Sequence, residues 1–495
     1  MTIKLAMIGD SLGQGFQDGA IGREFPLRSF PAMIAESLGL SVGSSPHHGF
    51  RVPSIPGEGL PLDIVQLLQS VTAHEAGDGI QRTEGRSISG AEWPTVIIPR
   101  IAQYFSTLED YYEVGEGSRP IQFDGTYHNL SSYGMTVFES VNLTSRLCDD
   151  LIEEHEGWFR NDVLGTPSGA KFRSAKMVLD PRGDDPEATQ VRNLQRLAQD
   201  PAQCPDAFLL WLGANDCLGT VVGLEVNDMP SVGPSSVAER QKYNLTSAAQ
   251  FRADYEALAA RLDEILPKNT PVFVGTVPDV SVAPIAKGLG QMKDDVYDYY
   301  VRFFVDGKKK KPPPFHKHLK REDVALVQAR IEQFNAHIRS IAEPRNSWHV
   351  VEIGVVLQQL AVRRLGEESH AEKPLRDYYA AQGRPDHPLL QLAPVPSLLT
   401  LGTHPDGRRK QGGLTSLDGV HPTTIGYGIA AEVFLTEMKK QGIPGADPAR
   451  LDWTRIAQSD RLLARAPAAW GDFLRAATSC SLLWDTLFRT LSSRV

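Results

Sequence analysis

Length, composition and charge narrow the class of protein before any motif is considered. The chain has 495 residues, of which 41% are hydrophobic and 22% are charged, and its formal net charge is −9 at pH 7. This length accommodates a large folded core or one catalytic domain with sizeable insertions. The negative charge argues against nucleic acid as a partner, because phosphate binding requires concentrated Lys and Arg. All apolar runs are short, so we expect no transmembrane segment.

The cysteines and the first residues bear on the cellular compartment. Cys148, Cys204, Cys217 and Cys480 show neither a CxxC motif nor the spacing of a disulfide framework. We expect free thiols, as in a reducing compartment. The first predicted strand begins at residue 3, and no secretion signal precedes it in the sequence. We therefore expect a cytoplasmic protein. The sequence indicates no particular oligomeric state.

Short apolar runs alternate with helical patterns along the chain. Strands are predicted at residues 3–8, 122–129, 206–212, 271–277 and 348–353. Helices are predicted at 29–38, 136–154, 191–198, 247–266, 323–342 and 423–440. This alternation predicts an α/β fold of three layers, in which a doubly wound, mostly parallel five-stranded sheet carries helices on both faces.

Three irregular segments interrupt this pattern and are interpreted as large insertions in one catalytic domain, residues 1–440. They span about 41–120, 284–322 and 362–412. The length of the first segment and its position after the N-terminal strand suggest that it shapes a substrate pocket. The second contains Lys308–Lys311 and then three prolines, which is typical of a solvated, extended loop. An acidic partner for this lysine run is the alternative.

Residues 441–495 contain short amphipathic pieces, with apolar side chains that include Leu462, Leu463, Trp470 and Phe473. We expect a helical C-terminal extension that packs on the main domain. Exposure of the same side chains at a dimer contact or a membrane interface is the alternative.

The first predicted strand ends in the sequence Gly9-Asp10-Ser11-Leu12-Gly13. A serine at such an end can hold its hydroxyl clear of the sheet, and the simpler interpretation is a turn with Asp10 or Ser11 as a helix cap. The sequence also fits G-x-S-x-G, but the nucleophile elbow of α/β-hydrolases follows several strands, for which position 11 leaves no room. A dinucleotide-binding turn is excluded, because Gly13-Gln14-Gly15 is not followed by a third glycine at the required spacing.

Two further predicted strands end next to residues that can donate hydrogen bonds. Gly134 follows the second strand, and Asn215 follows the strongly apolar third strand. In a doubly wound sheet the carboxyl ends of the strands meet at one edge, where ligands bind. We therefore expect Ser11, Gly134 and Asn215 to lie near one another. An ordinary turn residue is the alternative interpretation of both Gly134 and Asn215.

Among the 13 histidines, only His421 has an aspartate three residues before it, at Asp418. A D-x-x-H turn brings the carboxylate beside its own imidazole, which fixes the tautomer and supports the charged ring. Pro422 suits the first position of the helix predicted next. The alternative is an aspartate-containing turn with His421 as a surface cap. For the adjacent His47 and His48 we expect solvent exposure rather than a metal site, because neighbouring residues do not face one site on a regular element.

Taken in chain order, these segments resemble the four signature blocks of the GDSL, or SGNH, hydrolases. Gly9-Asp10-Ser11-Leu12 resembles the first block, Gly213-Ala-Asn215-Asp216 the third and Asp418-x-x-His421-Pro422 the last. Gly134 resembles the glycine of the second block, with Gly125 as the alternative. The resemblance covers the core from residue 3 to about 440 and excludes the insertions and the C-terminal extension. The chain departs from the family pattern because residues 41–120 separate the first two blocks.

The resemblance implies a flavodoxin-like fold and a role for each matching residue. Ser11 is the implied nucleophile, His421 the general base and then acid, and Asp418 the group that orients the histidine. The implied oxyanion hole consists of the Ser11 N–H, the Gly134 N–H and the Asn215 side chain. Asp10 is expected to stabilise the turn rather than to take part in the chemistry. No metal or organic cofactor is required.

These roles lead to an expected function, with two alternatives. We expect a serine esterase or lipase-like hydrolase that cleaves a small-molecule or lipid ester through an acyl-enzyme. One alternative is acyl transfer to an alcohol on the same residues, and the other is a catalytically silent binding or scaffold protein of this fold. If His421 is the base, activity should fall as the pH drops through the usual imidazole pKa of about 6.5.

Overall fold

A computed structural model describes most of the chain. The described residues are 3–57, 59–72, 74–76, 79–81, 95, 98–113, 115–155, 169–305, 309–361, 372–393, 395–398, 413–464, 466–467, 470 and 473. Lys308, Cys480, about half of the predicted insertion 362–412 (residues 362–371, 394 and 399–412) and the residues after 473 lie outside this description.

A parallel sheet of four strands forms the centre of the fold. The strands are β1 (Leu5–Gly9), β2 (Ala207–Trp211), β3 (Val272–Gly275) and β4 (Trp348–Val351), and they lie side by side in that order. Met7 is opposite Leu209, Leu209 is opposite Phe273, and Phe273 is opposite His349. Every residue of β1 and β2 is buried, which is why their sequences are apolar without alternation.

Both faces of the sheet are covered, as the lack of alternation predicts. Ala6, Ile8, Phe208 and Leu210 belong to one apolar core, which includes residues of the Ala248–Ile265 and Arg321–Ala342 helices. Leu5, Met7, Leu209 and Trp211 belong to a second core with the Phe30–Ser37 and Thr424–Lys440 helices. Successive strand residues therefore face opposite helical layers. The predicted three-layer α/β fold class is confirmed.

The sheet has four strands rather than the predicted five, because residues 122–129 form only a one-residue bridge. Asn129 is bridged in parallel to Met7, through hydrogen bonds from Met7 N to His128 O (2.9 Å) and from Leu130 N to Met7 O (2.9 Å). The N–H groups of His128 and Asn129 both donate to Arg51 O instead of extending a ladder. The bridged segment lies along the outer edge of β1. The order of this segment and the four strands therefore matches a flavodoxin-like sheet with a vestigial edge strand.

Helices account for most of the remaining regular structure. Their bounds are Ser11–Gln14, Phe30–Ser37, Ile64–Thr72, Ile98–Glu113, Val137–Asn142, Ser145–His155, Ala170–Leu179, Gln190–Gln199, Leu218–Gly223, Val237–Arg240, Ala248–Ile265, Arg321–Ala342, Ile353–Gln359, Lys373–Ala381, Thr424–Lys440, Trp453–Ser459 and Arg461–Ala464. No described helix is both long and apolar enough to cross a membrane.

The helix predicted over 136–154 is divided into two. Leu143 is in an extended conformation (ψ 107°) and ends the first helix. The N–H groups of Ser145 and Arg146 then donate to Ala188 O (3.0 Å) and Pro186 O (2.9 Å) of a neighbouring loop. A tertiary partner thus replaces the carbonyls that a continuous helix would offer, and the apolar spacing alone gives no sign of this.

The insertion 284–322 holds regular structure that the sequence interpretation missed. Ala286–Lys293 and Val296–Arg302 form an antiparallel hairpin, and Leu319–Lys320 pairs with its second strand. Short strand pairs also occur before and within the first insertion, and they join Ala20–Ile21 with Leu60–Pro61, Val42–Gly43 with Phe50–Arg51, and His74–Ala76 with Gly79–Gln81. Cys148, Cys204 and Cys217 are free thiols.

Candidate active site

Ser11 begins a four-residue helix that follows β1 directly. Asp10 is the N-cap of this helix, and its Oδ1 accepts a hydrogen bond from Leu12 N (2.9 Å). Gly15, in a left-handed conformation (φ 93°), ends the helix after one turn. The Ser11 side chain is thereby fixed at the carboxyl end of the first strand, in a residue that is only 3% exposed.

Close packing against a second loop requires a glycine in this turn. A Cβ at Gly13 would lie 2.2 Å from Ser131 Oγ, which is less than any real contact. The loop approaches through Asn129, whose Nδ2 donates to Gly13 O (2.8 Å), and through Tyr133 N, which donates to Gln14 Oε1 (2.8 Å). The loop that follows the vestigial strand therefore lies directly against the Ser11 turn.

The Asp418–His421 turn is closed by its own carboxylate. Asp418 Oδ1 accepts hydrogen bonds from Val420 N (2.8 Å) and His421 N (2.9 Å). Gly419 takes a left-handed conformation (φ 73°), which the tight turn needs. The other carboxylate oxygen, Asp418 Oδ2, faces Nδ1 of the His421 ring.

Ser11, His421 and Asp418 form one continuous chain of contacts. His421 Nε2 lies 2.9 Å from Ser11 Oγ, and His421 Nδ1 lies 3.0 Å from Asp418 Oδ2. Burial raises the pKa of the Asp418 carboxyl, but the His421 ring and the backbone donors outweigh it and hold that pKa below its usual range. The carboxylate is therefore ionised beside the imidazole at neutral pH.

Asp10 lies near the same ring but has a different environment. Burial raises the pKa of its carboxyl to about 7, against the lowering effects of the Leu12 N–H and of His421. Its hydrogen bond to the helix N-terminus occupies one oxygen. The structure thus places Asp10 in a capping position, in agreement with the prediction.

Asn215 and Gly134 lie next to each other, as the sequence interpretation expects. Asn215 is in the 3₁₀ turn that follows β2, and its Nδ2 donates to Met135 O (2.9 Å), beside Gly134. Gly134 has a positive φ of 74°. In the part of the chain that the structure describes, the N–H groups of Ser11 and Gly134 donate to no acceptor. Gly125, the alternative glycine, lies instead near Arg51 and Phe123.

The model of the GDSL-like Lipase/Acylhydrolase family matches residues 5–434. The chain belongs to this family. No curated protein matches the chain in a comparison of sequences. Membership indicates a lipase or acylhydrolase type of function acting on small-molecule esters, and the matched range includes every residue of the predicted site.

An apolar cavity of about 90 Å³ opens beside Ser11 and His421 in this GDSL-like protein. Its walls are mainly aliphatic and include Leu218, Val280, Val282, Leu357, Leu414 and Ile429. These residues come from four separate regions of the chain, including the segment after β3 and the helix after β4. The cavity therefore offers an apolar surface on one side of the Ser11 hydroxyl.

Some of the contacts that hold this site carry no sequence signal. Gly19 N donates to Asp418 Oδ2 (2.9 Å), although the two residues are 399 positions apart. Gln190 Nε2 donates to Gly9 O (2.8 Å) and Leu130 O (2.6 Å) and ties the two loops together. Neither residue belongs to a motif, and only the folded chain identifies them.

In the described residues, no group of three or more His, Cys, Asp or Glu side chains is arranged to hold a metal ion. His47 is exposed, and Nδ1 of the half-buried His48 lies 3.2 Å from Ser45 O.

Proposed function

We propose that this protein is a serine hydrolase that cleaves carboxylic esters through an acyl-enzyme intermediate. The observation that carries the proposal is the hydrogen-bonded chain from Ser11 Oγ through the His421 ring to Asp418, with contacts of 2.9 and 3.0 Å. A nucleophile, a base and an orienting group in this relation are the parts that acyl transfer through serine requires.

In the proposed reaction, His421 Nε2 takes the proton of Ser11 Oγ as the oxygen attacks the ester carbonyl. Asp418 stabilises the resulting imidazolium and keeps Nδ1 protonated. The same proton then passes to the alkoxide that leaves, and the alcohol departs from an acyl-Ser11 ester. A water molecule, deprotonated by His421, attacks this ester. As the bond between the acyl group and Ser11 Oγ breaks, His421 returns the proton to Ser11 Oγ, the acid is released and the enzyme returns to its initial state.

The oxyanion of each tetrahedral intermediate is assigned to three donors. The N–H groups of Ser11 and Gly134 are two of them, and their lack of an acceptor in the described chain supports this role. The third is the Asn215 amide, which carries two hydrogens. One hydrogen is held by Met135 O, so the amide is fixed in orientation while the other hydrogen remains available.

The aliphatic cavity supports an apolar acyl group as the part of the substrate bound beside Ser11. Polar acyl groups lose their hydration there without gaining partners, whereas each buried methylene gains about 0.8 kcal/mol. A series of p-nitrophenyl esters from acetyl to octanoyl tests this assignment. We expect kcat/KM to rise beyond acetyl, and a preference for acetyl would contradict it.

Covalent labelling with a fluorophosphonate probe tests the mechanism. Wild-type protein should be labelled at Ser11 and should hydrolyse a p-nitrophenyl ester, and S11A should lose both properties. S131A is the matched control, because Ser131 packs against the same turn at Gly13, and it should retain labelling. Product analysis with added alcohol separates hydrolysis from acyl transfer. No labelling of folded wild-type protein would favour a silent binding protein.

A further inference from the structure

Two adjacent charged residues of the C-terminal region lie beneath the proposed active site. Asp460 is fully buried, and Arg461, which begins the Arg461–Ala464 helix, has a side chain that is only 17% exposed. Charged side chains are rarely buried without specific partners. The partners of both residues lead to the turn that carries Asp418 and His421.

Arg461 joins two buried carboxylates. Its Nη1 lies 3.4 Å from Asp18 Oδ2, and its Nη2 donates to Asp63 Oδ1 (2.9 Å). The Asp18 and Asp63 side chains are 0% and 1% exposed, so water does not screen their mutual repulsion. Burial and the nearby Asp63 raise the pKa of the Asp18 carboxyl to about 7, and Arg461 opposes this rise, so Arg461 is the counter-charge that lets the two acidic side chains lie close together.

Asp18 and its neighbour Gly19 are bonded in turn to the Asp418 segment. Asp18 N donates to Ser416 Oγ (2.9 Å), and Leu417 N donates to Asp18 Oδ1 (3.0 Å). Gly19 N donates to Asp418 Oδ2, the same oxygen that faces His421 Nδ1. A displacement of Asp18 would consequently move a donor away from the oxygen that orients His421.

Asp460 accepts a hydrogen bond from the start of the helix that follows the same turn. Its Oδ2 accepts a hydrogen bond from Ile425 N (3.1 Å), in the first turn of the helix that begins two residues after Pro422. Its Oδ1 accepts from Leu462 N and Leu463 N, both at 3.0 Å. A carboxylate at a helix N-terminus accepts hydrogen bonds from the free N–H groups there, and its negative charge interacts favourably with the helix dipole.

An apolar contact lies between these two polar ones. Leu417, the residue before Asp418, is 1% exposed and belongs to a cluster with Leu462, Trp470 and Phe473. The C-terminal residues thus pack with Leu417 before the Asp418–His421 turn and bond Ile425 after it, and Arg461 is connected to the turn through Asp18.

From these contacts we propose that Arg461 is a positioning residue and that the C-terminal extension completes the active site by holding Asp418 against His421. The inference rests on the proposed serine-hydrolase function. Arg461 does not line the cavity beside Ser11, so it acts on catalysis and not on substrate binding. Loss of its charge leaves Asp18 and Asp63 buried together without a cation, which drives them apart or protonates one.

The test compares R461M and R461K with R455M. Arg455 belongs to the same extension and pairs with Glu36 at the surface, which makes it a matched control. We expect R461M to lower kcat by roughly 10- to 100-fold, the cost of a small misplacement of reacting groups. KM should stay within about twofold, because ground-state binding is unaffected. R461K should recover part of kcat, and R455M should match the wild type.

A double-mutant cycle with Asp418 separates positioning from a general loss of stability. In a D418N background, R461M should cost no further activity, because the group that Arg461 positions is already lost. Equal costs in both backgrounds, a rise in KM alone, or an R461M enzyme as active as R455M would overturn the proposal. All rates are compared at a temperature where circular dichroism shows each variant folded.

Two further arms keep the outcome decisive. If R461M does not fold, R461Q replaces it in the same cycle, since glutamine retains one donor for Asp63. If wild-type protein is not labelled at Ser11, the proposed function itself fails. Labelling of the wild type together with additive effects of R461M and D418N overturns only the role of Arg461.

Discussion

The two halves of the candidate site are held in different ways. The Ser11 turn is fixed by its own strand, by a one-turn helix and by neutral side chains, among them Asn129 and Gln190, that reach its carbonyls. The Asp418–His421 turn depends on charged residues from both ends of the chain, Asp18 and Arg461. Close packing of the backbone holds the first half in place, and paired charges support the second.

The largest effect is expected on the Ser11 side, at the Asn215 amide. N215A removes a proposed oxyanion donor, and we expect kcat to fall by about 10²- to 10³-fold. The free energy of unfolding should change little, because only one hydrogen bond, to Met135 O, is lost. N142A is the control, since Asn142 makes a similar bond to Phe138 O at the surface. A small loss of kcat would remove Asn215 from the oxyanion hole.

Crowding of the Ser11 turn predicts a steric effect at Gly13. A methyl group there collides with Ser131 Oγ and Met7 Cε, so G13A should lower the free energy of unfolding by about 1–3 kcal/mol. G223A is the matched control, because a Cβ at this helical glycine meets only Asn244 Nδ2, at 3.9 Å. Denaturant unfolding of both variants measures the difference. Equal stabilities would show that the turn has room to spare.

The smallest effect concerns the charge of Asp10, the one acidic group of the Ser11 turn. Its pKa is raised from 3.8 to about 7, mainly by burial, so the folded protein holds a proton that the unfolded chain releases. This contribution to stability is complete below pH 3.8 and is lost as the pH rises through about 7. D10N keeps a capping oxygen but does not titrate.

We therefore expect the free energy of unfolding of D10N to decline less steeply than that of the wild type between about pH 4 and pH 7. Denaturant unfolding at several pH values measures this slope. D124N alters an aspartate whose side chain is 89% exposed and should keep the wild-type slope. An unchanged slope in D10N would mean that Asp10 is ionised throughout this range.

Several parts of the fold were predictable because they depend on local sequence. The apolar runs at 206–212 and 271–277 became central strands, since a strand buried on both faces has no other pattern open to it. Ser11 and the Asp418-x-x-His421 turn were recognisable because the turn chemistry lies within a few residues of each motif. Their meeting at one sheet edge follows from parallel topology.

Other features were decided only by tertiary contacts. The edge strand at 122–129 is reduced to a bridge because Arg51 O takes two of its N–H groups, and the helix over 136–154 is divided because a loop at 186–188 replaces its carbonyls. The pairing of Arg461 with Asp18 and Asp63 likewise joins residues that no spacing rule connects. Sequence periodicity reports which face of an element is buried, whereas hydrogen bonds between distant segments depend on how the elements are packed together.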